Sequence, residues 1–295
     1  MNSEHMVQEV ATVGAALSWA TEEFRRAKVD SPRLTAEVLL AHILSWERAR
    51  LIGHIYDPLA AGAWEKFRTL ARHCAAGEPL HYLTGEREFY GLPFRVTPAV
   101  LIPRPETEIL VEHAVEWVRR RGGGVRFVDV GTGSGCIAIS VARELPGARG
   151  WATDISREAL VLARENADRL GAAARIGFVC CDLLDCFPAR PLFDLILSNP
   201  PYISGADVPE LPRVVREHEP HQALFGGESG LEASRRLIPQ AAARLAAGGC
   251  LLLEVGAGQA SEAAELIKRA DLTVTLTIKD LQSIPRCLVA QRRIQ

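Results

Sequence analysis

From about residue 106 onward the chain alternates strand-like and helical segments, and this alternation limits the folds open to it more than any other feature. Runs at 125–130 (VRFVDV), 150–155 (GWATDI), 175–180 (RIGFVC), 193–198 (FDLILS), 250–255 (CLLLEV), 272–278 (LTVTLTI) and 287–293 (CLVAQRR) read as strands, with helical periodicity between most of them. Strands separated by helices build a mostly parallel seven-stranded sheet covered on both faces, an α/β architecture. Only about eight residues (279–286) separate the last two runs, fewer than the ~10–12 that a parallel crossover needs. Those two are expected to close the sheet as an antiparallel hairpin.

Up to about residue 80 every strong periodicity is helical. Ser31-Pro32 reads as an N-cap with proline at the first helical position, Asp57-Pro58 as a second helix start, and Gly77 as the end of the run 61–77. The segment 88–103 changes character: Gly91 and Pro93 punctuate two short runs rich in aromatic and β-branched residues, the pattern of a hairpin. The expected organisation is an N-terminal helical bundle over 1–84, a β-hairpin linker over 85–104 and an α/β domain over 105–295.

Charge and cysteine content narrow the partners. Lys and Arg total 34 against 36 acids, a net charge of −2, so no global positive field gathers nucleic acid. The seven cysteines are scattered, with no CxxC pair and no Cys/His ligand spacing, which points to reduced, mostly buried thiols and no metal. Residues 1–26 lack a basic segment ahead of an apolar run, and no stretch reaches the ~18 apolar residues of a membrane span. A cytoplasmic location is expected.

The chemistry begins at FVDVGTGSGCIAIS, residues 127–140: a buried strand, three glycines at 131, 133 and 135, then an apolar helix. Glycines here let a ligand approach the backbone, and the helix start offers free N–H groups. Asp129 lies at the strand's end, where an unpaired carboxylate is costly and calls for a cation or a cluster of donors. Asp154 ends the next strand, where it can accept both hydroxyls of a ribose, and Asp182 follows the third at the same edge. Three acids repel a pyrophosphate. They suit a ligand carrying an amine, a ribose and an adenine, and S-adenosylmethionine has all three plus a sulfonium charge.

Asn199-Pro200-Pro201-Tyr202 follows the fourth strand. Two prolines stiffen this turn and remove two backbone donors, and Tyr202 adds a flat face. Such a turn is rich in acceptors. The Asn199 side-chain oxygen and the Pro200 carbonyl suit the two N–H groups of a planar amide or amino nitrogen, aiming it at a methyl donor by positioning and electrostatics.

DVGTGSG, then Asp154, then NPPY resembles the class I S-adenosylmethionine-dependent methyltransferases that modify amino or amide nitrogens. PLHYLTGEREFYGLPFRVTPAVLIPRPETE (79–108) and EPHQALFGGESGL (219–231) are more specific and resemble the peptide chain release factor N(5)-glutamine methyltransferases, the PrmC/HemK family, over nearly the whole chain. The resemblance implies a Rossmann-like methyltransferase domain and methylation of the glutamine in the GGQ loop of bacterial class 1 release factors during translation termination. It assigns Gly131, Thr132, Gly133, Ser134, Gly135 and Asp154 to the methionine and ribose ends of the cofactor, Asp182 and Leu183 to the adenine, and counts Asp129 and Ile155 among the cofactor-binding residues. Leu183 stands where family members often carry an aromatic residue. Asn199, Pro200, Pro201 and Tyr202 are assigned to the glutamine, with Asn199, Pro200 and Tyr202 catalytic, Asn199 also beside the cofactor, and Arg104 lining the mouth near the target.

Direct displacement at the methyl needs no metal and no covalent enzyme intermediate, and Cys136, Cys180 and Cys181 are expected to be buried structural thiols. The expected enzyme is a monomer, with a protein as its substrate and no direct contact with nucleic acid or membrane. Its rivals are a methyltransferase for a ribosomal-protein glutamine, an adenine-amino methyltransferase for DNA or RNA, and a non-catalytic adenosylmethionine sensor.

Overall fold

A computed structural model describes residues 12–293, so the reading of residues 1–11 lies outside the described residues. The chain divides into two compact units, Met1–Gly85 and Glu86–Gln295.

The first unit is helical: α1 (Val13–Arg26), α2 (Pro32–Leu44), α3 (Arg48–Gly53), α4 (Ala61–Ala75) and α5 (Leu80–Thr84). In α1, Val13, Ala16, Leu17, Ala20 and Phe24 recur at helical spacing and are all buried, while Thr12 caps the helix by accepting the Ala15 N–H at 3.1 Å. They pack with Leu39 and Leu40 of α2 and with Phe67 and Ala71 of α4. Two sequence signals read differently here. Ser31 precedes α2, but its φ of 48° leaves its side chain making no cap, and Pro32 alone marks the start. Asp57-Pro58 opens no helix: the Asp57 carbonyl accepts the Val13 N–H at 3.0 Å, Pro58 bridges Thr12, and α4 starts only at Ala61.

The second unit begins with a hairpin of β1 (Glu86–Phe89) and β2 (Leu92–Arg95). Its turn residues Tyr90 and Gly91 both have positive φ, 52° and 68°, as a two-residue hairpin turn that follows strand twist requires. After the hairpin, a 3-10 turn at Pro105–Thr107 leads into α6 (Glu108–Arg121). Then come β3 (Arg126–Val130), α7 (Cys136–Glu144), β4 (Arg149–Asp154), α8 (Arg157–Arg169), β5 (Ile176–Cys180) and β6 (Phe193–Ser198). Short helices α9 (Arg213–His218) and α10 (His221–Leu224) precede α11 (Glu232–Arg244), β7 (Leu245–Glu254), α12 (Ala260–Arg269), β8 (Leu272–Lys279) and β9 (Pro285–Arg292).

The seven strands lie in the order β5-β4-β3-β6-β7-β9-β8, parallel except that β9 runs antiparallel to both β7 and β8. This is the expected mostly parallel sheet with a terminal hairpin. Strand residues alternate between two cores: Phe127, Leu195, Leu197, Cys250 and Leu252 meet α6 and α7, whereas Val128, Ile196, Leu251 and Leu253 meet α11 and α12. Burial on both faces explains why these strands read as nearly continuous apolar runs. β7 starts at Leu245, five residues before the apolar run, because Gly248 and Gly249 carry a bulged start past Phe193.

Asn166 on α8 ties the hairpin to the site. Its Oδ1 accepts the Arg95 N–H at 2.8 Å, and its Nδ2 donates to the carbonyls of Arg95 at 3.0 Å and Ser134 at 2.9 Å.

Candidate active site

Chain order steps from β3 outward to β4 and β5, then returns across β3 to β6, so strand order reverses between β3 and β6. In parallel sheets ligands bind at such a reversal, beyond the carboxyl ends of the strands. Val130 pairs with Ser198 in register, and Ser198 Oγ donates to the Val130 carbonyl at 2.8 Å. The turns that leave these two residues, the glycine turn and Asn-Pro-Pro-Tyr, therefore stand side by side.

A cavity of about 650 Å³ opens over them, lined by Gly131, Thr132, Gly133, Ser134, Asp154, Ile155, Asp182, Leu183, Asn199, Pro201 and Arg104 among others. Gly131 and Gly133 have φ of 72° and 54°, and a Cβ on either would meet nothing within 4 Å; they floor open space. Gly135 does not line the cavity: a Cβ there would lie 2.8 Å from Ile139 Cδ1, so this glycine lets the turn pack on α7. A second cavity of about 240 Å³ is lined by Leu101, Arg104, Asn199, Tyr202, Ile203, Leu211, Val215, Ala223 and Leu224. Leu101, Arg104, Asn199 and Ala223 line both. Tyr202 lines only the second and Pro200 neither.

Asp129 lies beneath the turn, fully buried. Its Oδ2 accepts from Thr132 Oγ1 at 2.6 Å and from the Ala138 N–H at 3.2 Å, while Oδ1 has no partner among the described residues. Burial pushes its carboxyl up to about 7. Ser134 Oγ, also buried, likewise has no hydrogen-bond partner among the described residues. Asp154 is held by two backbone donors, Gly133 N–H to Oδ2 and Ser156 N–H to Oδ1, each at 2.9 Å. Burial raises its carboxyl as well. Asp182 pairs with Arg236 of α11, and Leu183 takes a φ of 50°, its carbonyl accepting from Thr153 Oγ1 at 3.0 Å.

Asn199 Nδ2 donates to Thr107 Oγ1 at 3.0 Å, which leaves Oδ1 without a partner among the described residues at the wall shared by the cavities. Gln259 braces this turn, donating from Nε2 to the Tyr202 carbonyl at 2.9 Å and accepting the Gly256 N–H at 2.9 Å. Burial, then the nearby Glu254, pushes the Tyr202 phenol up to about 12. Arg104 is bound by Glu219 rather than free at the mouth.

The thiols need one correction. Cys136 is buried, its thiol pushed up to about 12 by burial, but Cys180 is exposed and Cys181 only half-buried, because β5 is an edge strand whose end no neighbour covers. Thr107 and Glu219 lie within the segments 79–108 and 219–231 that the sequence singles out, but Arg236, Glu254 and Gln259 carry no sequence signal of their own; each meets the site from a distant segment.

The strand order and the two turns flanking its reversal define a class I methyltransferase. The fold agrees with a methyltransferase from Pyrococcus furiosus (TM-score 0.53, 20% identity, 70% of this chain and 91% of that one). It also agrees with T. thermophilus 16S rRNA methyltransferase RsmC in complex with AdoMet and guanosine (TM-score 0.50, 18% identity, 70% and 50% covered). Residues 15–85 match the PrmC N-terminal domain and 105–216 the methyltransferase small domain. Proteins named release factor glutamine methyltransferase are 44% identical in Bradyrhizobium diazoefficiens (91% of each chain), 42% in Koribacter versatilis (95% of this chain, 99% of that one) and 44% in Moorella thermoacetica (96% and 99%). The chain belongs to the release factor glutamine methyltransferase family.

Proposed function

We propose that this protein methylates the side-chain amide nitrogen of the glutamine in the GGQ motif of class 1 peptide chain release factors, using S-adenosylmethionine. The observation that carries this is Asn199, an acceptor on the wall common to a large cavity and a smaller one. The residues of the large cavity fit the cofactor: a glycine floor open to a ligand, unpartnered Ser134 Oγ above a buried carboxylate, and Asp154 at the end of β4.

Bound there, S-adenosylmethionine supplies an electrophilic methyl group on a positively charged sulfur. Gly131, Thr132, Gly133 and Ser134 hold its methionine end, Asp154 and Ile155 the ribose, and Asp182 and Leu183 the adenine; Asp129 and Gly135 shape the turn from beneath. The glutamine enters by the smaller cavity. Asn199 Oδ1 takes one of its N–H bonds and turns the nitrogen toward the methyl, with Tyr202 along the wall, while Pro200, which lines neither cavity, stiffens the turn. S-adenosylmethionine would supply the methyl group, its sulfur keeping the electron pair of the S–C bond, and the nitrogen held by Asn199 would shed a proton once methylated. Positioning supplies most of the acceleration.

The helical unit, 1–84, docks the release factor, and its exposed Ile52 and Tyr56, 70% and 86% accessible, offer an apolar surface for that contact. The balanced charge supports a protein substrate without direct nucleic-acid contact, and the enzyme acts as a cytoplasmic monomer. Among the described residues, no helix is long and apolar enough to cross a membrane.

Mass spectrometry of an unmethylated release factor, incubated with this protein and S-adenosylmethionine beside a GGQ-loop Gln→Ala control, tests the reading. One methyl on that glutamine, absent from the control, is expected. No gain with calorimetric cofactor binding intact would overturn it in favour of a ribosomal-protein glutamine or a nucleic-acid amine.

A further inference from the structure

β5 ends at Cys180, and the loop that follows supplies Cys181, Asp182 and Leu183 to the wall of the large cavity. One face of α11 grips this loop. Arg236, Gln240 and Arg244, spaced four apart, lie on the same side of the helix. Arg236 pairs with Asp182, Gln240 accepts the Leu184 N–H at 2.9 Å and donates to Asp185 Oδ1 at 3.0 Å, and Arg244 donates to the Phe187 carbonyl at 2.6 Å. Leu183 takes a φ of 50°, a left-handed conformation unusual for leucine, so these contacts hold the loop in a sharp turn.

The turn brings two thiols together. Cys181 Sγ lies 2.8 Å from Cys186 Sγ, about 0.8 Å beyond the ~2.05 Å of a disulfide bond. Both are free thiols, Cys186 exposed and Cys181 half-buried at the cavity wall. Cys180, adjacent in sequence, turns instead to the Ile155 carbonyl at 3.6 Å. The four other cysteines are buried, away from an oxidant in solvent. Burial, then the hydrogen bond and charge of Cys181, raise the Cys186 thiol, so Cys186 is the member that keeps its proton and Cys181 the one that attacks.

We propose that Cys181 and Cys186 form a redox site in the cavity wall, oxidised by a hydroperoxide to a disulfide that weakens cofactor binding. The Cys181 sulfur attacks the terminal peroxide oxygen, the O–O bond breaks, and water (or an alcohol, from an organic hydroperoxide) leaves a sulfenic acid behind. The Cys186 sulfur then attacks the Cys181 sulfur: the S–S bond forms, the S–O bond breaks, and the oxygen departs as water with the Cys186 proton. The two electrons lost by the thiols are gained by the peroxide, and a dithiol reductant returns them. Closing the bond draws the sulfurs together. Leu184, Asp185 and Phe187 are pinned on α11, so the movement falls on Cys181 and on Asp182, whose side chain is held by an ion pair that solvent reaches. The effect on the cofactor rests on the reading of the large cavity as the S-adenosylmethionine site.

The test treats the reduced full-length protein with equimolar hydrogen peroxide, blocks remaining thiols with iodoacetamide and cleaves on the N-terminal side of aspartate. Cuts before Asp182 and Asp185 place Cys181 and Cys186 in separate peptides, which travel together only when bonded. Mass spectrometry is expected to find the linked pair in the wild type and in Cys180→Ser, and in neither Cys181→Ser nor Cys186→Ser. Calorimetry on the oxidised wild type is expected to give an S-adenosylmethionine dissociation constant raised about 10-fold and restored by dithiothreitol. Cys186 lines neither cavity, so Cys186→Ser is expected to keep the reduced value within about twofold after the same treatment. Absence of linked peptides from folded wild type, a link that needs Cys180, or a link that leaves the dissociation constant unchanged would each overturn the proposal. Failure of the underlying reading looks different: the reduced protein binds no S-adenosylmethionine, and the linked peptides alone then decide whether the pair is a redox site.

Discussion

Arg104 Nη2 donates to Glu219 Oε1 at 2.6 Å, and the other carboxylate oxygen of Glu219 accepts the Ile102 N–H at 3.2 Å. One acid, its side chain 2% exposed, thus fastens the segment before α6 to the loop that follows Asn-Pro-Pro-Tyr, joining two walls of the cavities. Arg104 lines both cavities, and its charge is spent on Glu219.

Removing either partner should therefore cost about what removing both costs. Glu219→Ala and Arg104→Ala are each expected to lose about 2–4 kcal/mol, because each strands a largely buried group, and the double variant should lose no more than the worse single one. Denaturant unfolding of all four proteins measures this. Losses that simply add would show that the two residues act independently.

Asn199→Ala should lower kcat at least about 100-fold while leaving cofactor affinity within about threefold, since the lost acceptor serves the reacting nitrogen. Steady-state kinetics with calorimetry separate the two quantities. Retention of normal turnover would remove Asn199 from the mechanism.

Asp154→Asn presents an NH₂ to at least one of the backbone donors now held by the carboxylate, Gly133 and Ser156. The glycine turn and the ribose position should both suffer, weakening S-adenosylmethionine binding about 10-fold or more. Titration calorimetry provides the check, and an unchanged dissociation constant would assign the ribose elsewhere.

Glu254 makes stability depend on pH. Its carboxyl is lifted from 4.5 to about 7, so across that interval the folded state holds a proton that the unfolded chain has released. Stability from this group is thus full in acid and lost as pH rises from roughly 4.5 to 7. Glu254→Gln keeps the shape of the side chain and removes the titration. Relative to wild type, the variant should gain about 2 kcal/mol between pH 5 and pH 8, read by urea unfolding at both. Parallel pH dependence in the two proteins would contradict the lift. Asp129, pushed up to about 7 as well, remains in both and cancels.

A double Ile52→Ser, Tyr56→Ser variant is expected to raise KM for the release factor several-fold with kcat and cofactor affinity preserved, since neither side chain is buried in the helical core. An unchanged KM would place docking on another surface.

The amino-acid sequence by itself determined the seven strands, their mostly parallel arrangement, the closing hairpin and the two turns that bear the chemistry, because alternating burial and turn chemistry are written within a few consecutive residues. Gly131 and Gly133 could be read because only glycine takes their positive φ without strain. Asn199 stood out because two prolines follow it. Local signals misled where tertiary contacts claimed the backbone: Asp57 looks like a helix start, yet its carbonyl is committed to Val13. Only the tertiary structure decided what surrounds Asn199. Thr107 lies 92 residues before it, and Glu219 reaches 115 residues back to Arg104. Strand order sets those meetings: the return of β6 across β3 brings the turns together, and β7 beside β6 delivers Glu254. No spacing along the chain encodes a contact whose distance is measured across the sheet.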